Sequence, residues 1–442
     1  MTWTSSKASV AEVDSETGVV TAKSTGEAVI TVKTPSGKKD KITITVEEAD
    51  DSEKQPPEAP GDGQQSPEVP GDGQQPPEMP GDGQTTDTTT TAAVTLTGDS
   101  TGQSYSSTTG GENAVLVSGS KVNMTGATVT KTGDSSGDNA DFTGINAAVL
   151  AKNGATLTVS NSKVTTGGSH ANGIFSYGSG TTVNVSDTTI TTTGNNSGGI
   201  MTTGGGTMNA SNLTVSTSGN SSAAIRSDRG GGTVKVTGGS YSAGGVGSPA
   251  IYSTADITVT SAELCATKSE AVVIEGGNSV TLNNVKITGN NSTLNGQSKV
   301  KTNVLIYQSM SGDASEGSST FTMTGGTMTS KTGDMFHVTN VTTTINLNGV
   351  TFRNGGDTFL SASADAWGTS GRNGGNVTLN LTNQSIVGAI TCDSASTVTV
   401  NLDANSSWEL TGDSWVTALN GSMSNVDLNG YTLYVNGVAT NG

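Results

Sequence analysis

Cysteine and histidine are nearly absent from this 442-residue chain, with two of each. That excludes a disulfide-stapled scaffold and most zinc sites. Aromatic residues make up 4% and hydrophobic residues 31%, so a wide core filled with rings is excluded. No run approaches the ~20 consecutive apolar residues of a membrane-spanning helix. Basic residues are also scarce, 21 against 38 acids for a net charge of −17. With no Lys/Arg cluster to meet a phosphate backbone, nucleic acid is excluded as a partner. Proline is confined, since only Pro35 and Pro249 lie outside residues 50–87. What the chain does have is glycine, 61 residues, set among Ser, Thr and Asn.

Residues 50–87 hold ten acids and a single base, Lys54. A ten-residue frame, Pro57-Glu58-Ala59-Pro60-Gly61-Asp62-Gly63-Gln64, recurs from Pro67 and from Pro77. Proline removes backbone donors and like charges repel, so residues 49–91 read as an extended, disordered linker. Its Gly-Asp-Gly steps do not make a calcium loop, because single carboxylates ten residues apart supply too few oxygens.

Before the linker, Val19–Ala22, Ala28–Val32 and Ile42–Val46 alternate apolar and polar residues at the period of a strand. Here Trp3-Thr4-Ser5-Ser6, Val10-Ala11-Glu12-Val13-Asp14, Gly18-Val19-Val20-Thr21-Ala22 and Gly26-Glu27-Ala28-Val29-Ile30-Thr31-Val32 are found. The segment resembles the bacterial immunoglobulin-like domain, group 2, over residues 1–48. The family's opening strands would precede Trp3, so the resemblance implies a partial β-sandwich with Met1 inside the domain.

From residue 92 onward the chain repeats itself. Ile174, Ile200, Ile225 and Ile251 are spaced by 26, 25 and 26 residues. Each is followed by a second alternating strand (Thr182-Val183-Asn184-Val185, Thr233-Val234-Lys235-Val236) and a third (Thr189-Ile190-Thr191-Thr192), closed by Gly/Asn/Ser turns. Three short strands per ~25-residue unit describe the coil of a parallel β-helix. Stacked coils bury one narrow core, which few apolar residues can fill. Residues 92–442 are therefore expected to form some 12–13 coils over roughly 60 Å. A stack of immunoglobulin-like sandwiches fits less well, because no Trp or Cys recurs with the period.

If those isoleucines point inward, the next residue in each strand points outward. That outward ladder reads Leu116, Leu150, Phe175, Met201, Arg226, Tyr252, Val273, Ile306, His337, Leu360. So apolar a line is either a ridge that binds a ligand, with Phe175, Met201, Arg226, Tyr252 and His337 as its contact residues, or a face covered by a flanking loop. Two over-long units supply candidate loops, with insertions around Thr132–Thr143 and Asn290–Asn303. In solenoids such insertions bulge from one edge, as tolerated loops or as binding surfaces.

Catalytic signals are weak. Glycoside hydrolysis needs two neighbouring carboxylates, yet the one Asp-Asp pair, Asp50-Asp51, lies in the linker. Pectate-lyase-like β-helix proteins, which such a coil resembles, need a basic residue beside calcium-binding carboxylates. Arg226, Asp228 and Arg229, or Asp357, Asp365 and Arg372, have no distinctive spacing and read as surface ion pairs. Asp134, Asp138 and Asp141 in the first insertion are the candidate calcium ligands, being several oxygens in one loop. Cys265 and Cys392, about five coils apart, are too distant to bridge and are expected as separate core thiols. Trp408 and Trp415 are expected to cap the open end of the rod, with Asp413 and Gly430–Val435 completing it.

Gly199–Gly206, Ala223–Gly239, Ser248–Thr260, Glu270–Thr281 and the closing Asn429–Gly437 resemble the adhesin-like, right-handed β-helix proteins on the surface of gut-dwelling bacteria. The resemblance implies an all-β, right-handed parallel β-helix at the bacterial cell surface or outside the cell. The function expected is non-catalytic contact with glycans or with host or partner surfaces. Two alternatives stand beside it: a polysaccharide lyase or glycoside hydrolase of the pectate-lyase-like β-helix superfamily, and an ice-binding protein, which would need a regular outward Thr-x-Thr ladder of the kind Thr189–Thr193 and Thr342–Thr344 hint at.

Overall fold

The computed structural model describes residues 2–15, 20–34, 38–46, 90–294 and 298–440. The chain divides into two compact units, Met1–Pro56 and Pro57–Gly442. Apart from its last two residues, the linker expected over 49–91 lies outside the described residues.

In the first unit, Thr2–Ser5, Gly26–Lys33 and Lys39–Val46 form an antiparallel sheet with the middle segment at its centre. Ala11–Val13 pairs with Val20–Ala22 as a separate ribbon. Every second residue of Gly26–Lys33 faces the interior, so Ala28 and Ile30 are buried, and Ala28 packs with Val10 and Ala11. The three strands expected from alternation are all present, the last two extended by a few residues.

The second unit is a parallel β-helix. Its coils run in turn through a first sheet of 12 strands, a second of 13 and a third of 10. At one strand spacing per coil, 13 strands span about 60 Å. The inward column predicted from the repeat is present: Ile174, Ile200, Ile225 and Ile251 are direct ladder partners. It continues from Val115 and Val149 below to Val272, Val304, Phe336, Leu360 and Ile390 above. All of these are fully buried. The second sheet adds two inward residues per coil, such as Val183 and Val185, and the third adds one, such as Ile190.

Turns repeat with the coil. Between the second and third strands the chain takes a left-handed residue on successive coils, Asn161 (φ 49), Asp187 (φ 47) and Asn212 (φ 52), which Asn and Asp tolerate best after glycine. At the corner before the first sheet, hydroxyls replace the ladder. Ser197 Oγ accepts from Ala171 N–H, Ser222 Oγ from Ser197 N–H, and Ser248 Oγ from Ser222 N–H, each at 2.9 Å. Each hydroxyl also donates to a carbonyl of the coil below, at Gly168, Gly194 and Gly219.

The third sheet stops after Thr351–Arg353 and resumes as Ser385–Val387, Ser407–Glu409 and Val426–Asp427. Across that break the Gln384 side-chain amide accepts from Val350 N–H at 2.7 Å and donates to Val350 C=O at 2.9 Å. The end is closed by Ser414–Val416, Leu433–Val435 and Val438–Thr440, the last pair antiparallel around Asn436-Gly437. Trp408 is fully buried, with Nε1 donating to Gly388 C=O, and Asp413 Oδ1 accepts from Thr432 N–H. Trp415, expected beside Trp408 in the cap, is instead 41% exposed. Cys265 and Cys392 are both free. Cys392 packs against the core, but Cys265 sits half-exposed on the outer side of the third sheet, paired with Ser242 and Thr288. No helix among the described residues is long and apolar enough to cross a membrane.

Candidate functional site

The outward ladder of the first sheet exists, but it is no surface ridge. Phe175, Met201, Arg226, Tyr252 and His337 are all buried, so the reading in which flanking loops cover the face is the one the structure bears out. Two members also change. Val272 pairs with Val304 rather than Leu305, so Leu305 and not Ile306 points outward. Ser361 follows His337, and Leu360 belongs to the inward column.

Over-long connections form the roof. The first insertion contains a short helix, α1 (Asp138–Phe142), whose Phe142 C=O accepts from Thr203 Oγ1. Ala147 packs with Leu116, Leu150, Phe175 and Met201. Farther along, Trp367 closes over Tyr252, Val273, Leu305 and Tyr307, its ring centroid 4.4 Å from that of Tyr307. Between these apolar patches the roof is held by charged groups, with Arg226, Asp228, Asp313 and Glu275 buried and Arg229 and Asp138 partly exposed. Arg226 donates twice to Asp228 Oδ2, at 3.2 and 2.8 Å. Arg229 donates to Asp313 and Asp138 and lies 4.1 Å over the Phe142 ring. Glu275 accepts from Tyr252, Tyr307 and Ser309 hydroxyls. Burial pushes the Asp228 carboxyl up to about 7 against the pull of Arg226, and burial likewise raises Glu275. The Arg226–Asp228 pair is therefore interior, not the surface pair expected.

The candidate calcium ligands do not converge. Asp134 accepts from Ser169 N–H, Asp138 meets Arg229, and Asp141 Oδ1 lies 2.8 Å from His170 Nδ1. Among the described residues no group of three His, Cys, Asp or Glu is gathered to hold a metal. The second charged set also separates. Asp365 is buried 3.4 Å from His337 Nε2, while Arg372 lines a surface groove. Burial alone would raise the Asp365 carboxyl, but His337, the Ser298 hydroxyl and the Lys299 N–H outweigh it and hold it below its ordinary value.

With the first sheet roofed, the second and third both present uncovered polar faces, and that of the second is the longer. Outside its inward pairs run two columns. One passes through Thr156, Thr182, Thr207, Thr233, Asp256, Ser279, Thr320, Thr344, Thr378 and Thr399. The other passes through Thr158, Asn184, Asn209, Lys235, Thr258, Thr281, Thr322, Asn346, Asn380 and Asn401. Strand alternation puts them there, and most members are half-exposed. Near the end the amides bond to one another along the axis: Asn420 to Asn401 at 2.8 Å, Asn401 to Asn380 at 2.6 Å, Asn380 to Asn346 at 2.8 Å.

Two depressions lie on or beside this face. One, of about 350 Å³, is lined by Thr158, Asn184, Ser186, Asn209, Ser211, Lys235 and Thr237. The other, of about 620 Å³, sits where Thr342 and Asn376 meet Gln308, Met310, Glu316, Thr369 and Arg372. Hydroxyls and amides that both donate and accept, beside Lys235, Glu316 and Arg372 and the apolar Val185, Ala210, Met310 and Val341, suit a polyhydroxylated ligand. The signal for these columns was present in the sequence, in the polar residues beside each inward Val or Ile of the second strand. No family model, curated protein or solved structure matches the chain.

Proposed function

We propose that this is a non-catalytic, adhesin-like protein, acting outside the cell or at its surface, that contacts glycans through the outer face of its second sheet. The paired Thr/Asn/Ser columns of that sheet carry the reading. Each column offers about one polar group per 4.8 Å of rod, and together they hold one carboxylate, Asp256. Hydrolysis of a glycosidic bond needs two. The immunoglobulin-like reading of the first unit belongs with an extracellular protein of this kind. An ice-binding role would draw on threonines of both open sheets, Thr189–Thr192 on the third and Thr342–Thr344 on the second, but Lys163, Glu263 and Lys286 interrupt the one run and Lys235 and Asp256 the other.

The test is binding of the full chain to a glycan array and to insoluble polysaccharides, repeated with Asn184→Ala/Asn209→Ala and with Arg372→Ala. Binding that falls at least about tenfold in one of these variants supports the reading. Binding unchanged in both, or release of shortened oligosaccharides from the substrate, overturns it.

A further inference from the structure

The last coil exposes what the rest of the rod covers. Trp415 and Tyr434 are ladder partners on adjacent strands, with ring centroids 5.4 Å apart and planes 3° from parallel. Trp415 is 41% exposed, Tyr431 42% and Val438 68%. The other tryptophan of this end, Trp408, is buried with its N–H satisfied, so closing the core does not need the second one. Exposed rings are costly in a chain with so few, and a cluster of them marks a contact surface. The Asp413 carboxylate lies beside them, accepting from Thr432 N–H. No lysine or arginine follows Arg372, whereas Asp393, Asp403, Glu409, Asp413 and Asp427 do.

We propose that the Trp415–Tyr434 pair is a stacking site for a neutral sugar ring at the end of the β-helix. The C–H face of a pyranose carries partial positive charge and is drawn to the negative face of an aromatic ring. Nearby carboxylates accept from sugar hydroxyls and repel sialylated or uronic-acid chains. This site rests on the glycan reading above but uses other residues, so the two fail separately.

The experiment titrates the full chain with neutral hexose and N-acetylhexosamine oligosaccharides and with uronic-acid oligomers, following tryptophan emission and acrylamide quenching. Gel filtration runs alongside. Neutral oligosaccharides should shield Trp415 and uronic-acid oligomers should not. Trp415→Ala and Tyr434→Ala should each weaken binding at least about tenfold, while Val387→Ser, elsewhere on the surface, should not. Unchanged hydrogen-exchange protection of Ser407–Glu409 and Leu433–Val435 reports that the end coil remains folded in Trp415→Ala. Neutral sugars that bind equally well in both variants overturn this site and leave the glycan reading standing. Self-association abolished by Trp415→Ala overturns it in favour of a second copy of the chain. Binding of no glycan, soluble or insoluble, overturns both.

Discussion

Gly144 lies directly against the ring of Phe175: a Cβ added to it would stand 2.8 Å from Phe175 Cγ and 2.8 Å from Leu150 Cδ1. Its φ is +75, a conformation that costs an L residue about 1–2 kcal/mol before any overlap is counted. Gly144→Ala should therefore lift the roof from the first sheet while leaving the coils below intact. Hydrogen exchange across residues 138–147 should accelerate at least tenfold, with the strands from Thr302 to Ala362 unchanged. Exchange unaltered at 138–147 would mean that the roof is not seated on Phe175.

The roof should tighten in mild acid. Asp228 is raised to about 7 by burial, and Glu275 is raised as well. A folded state in which these carboxyls hold protons more strongly than in the unfolded chain gains stability as pH falls through 7, and loses that gain as pH rises again. Protection of residues 138–147 and 308–315 should be greater at pH 5.5 than at pH 8. Asp228→Asn should flatten the difference. A roof that loosens on acidification contradicts the buried-carboxyl account.

Removing one partner of the interior pair is a separate matter. Arg226→Ala leaves Asp228 buried beside Asp313 and Asp141 without its counter-charge, a change worth about 3–5 kcal/mol. Solenoid coils contact only their neighbours. Exchange should therefore rise in Ile200–Thr203 and Ile251–Ser253 and stay unchanged in Ser407–Glu409. Uniform destabilisation along the rod would show that the coils do not behave as nearest neighbours.

Gln384→Ala should open the seam in the third sheet. Its amide makes both hydrogen bonds to Val350 that the backbone ladder does not, and leaving those buried groups unpaired costs about 1–3 kcal/mol each. Limited proteolysis between residues 350 and 388 should appear in Gln384→Ala and not in Ser407→Ala, whose hydroxyl is exposed. Resistance equal to the wild type would show that packing alone holds the seam.

Much of this was legible in the chain. The spacing of Ile174, Ile200, Ile225 and Ile251 identified the coil and its inward column, because a solenoid core repeats with the coil. Phase was lost at Asn303-Val304-Leu305-Ile306-Tyr307, where a strand buried on both faces reads as an unbroken apolar run and alternation no longer marks the inside. The same double burial made the Phe175–Tyr252 line look like a ridge. Its cover comes from residues as distant in sequence as Trp367 and Ala147, which no local pattern ties to it. Trp408 and Trp415 lie seven residues apart on strands of similar pattern, and only the register separates the core residue from the exposed one.

Hydroxyl-radical footprinting of the full chain, with and without an insoluble glycan that it binds, tests the central claim most directly. The account predicts protection of the second-sheet segments Ser318–Thr324, Val341–Asn348 and Gly375–Thr382, with Ile174–Tyr177 and Ile200–Thr203 equally unreactive in both states. Protection that appears on the first sheet, or on neither, would contradict it.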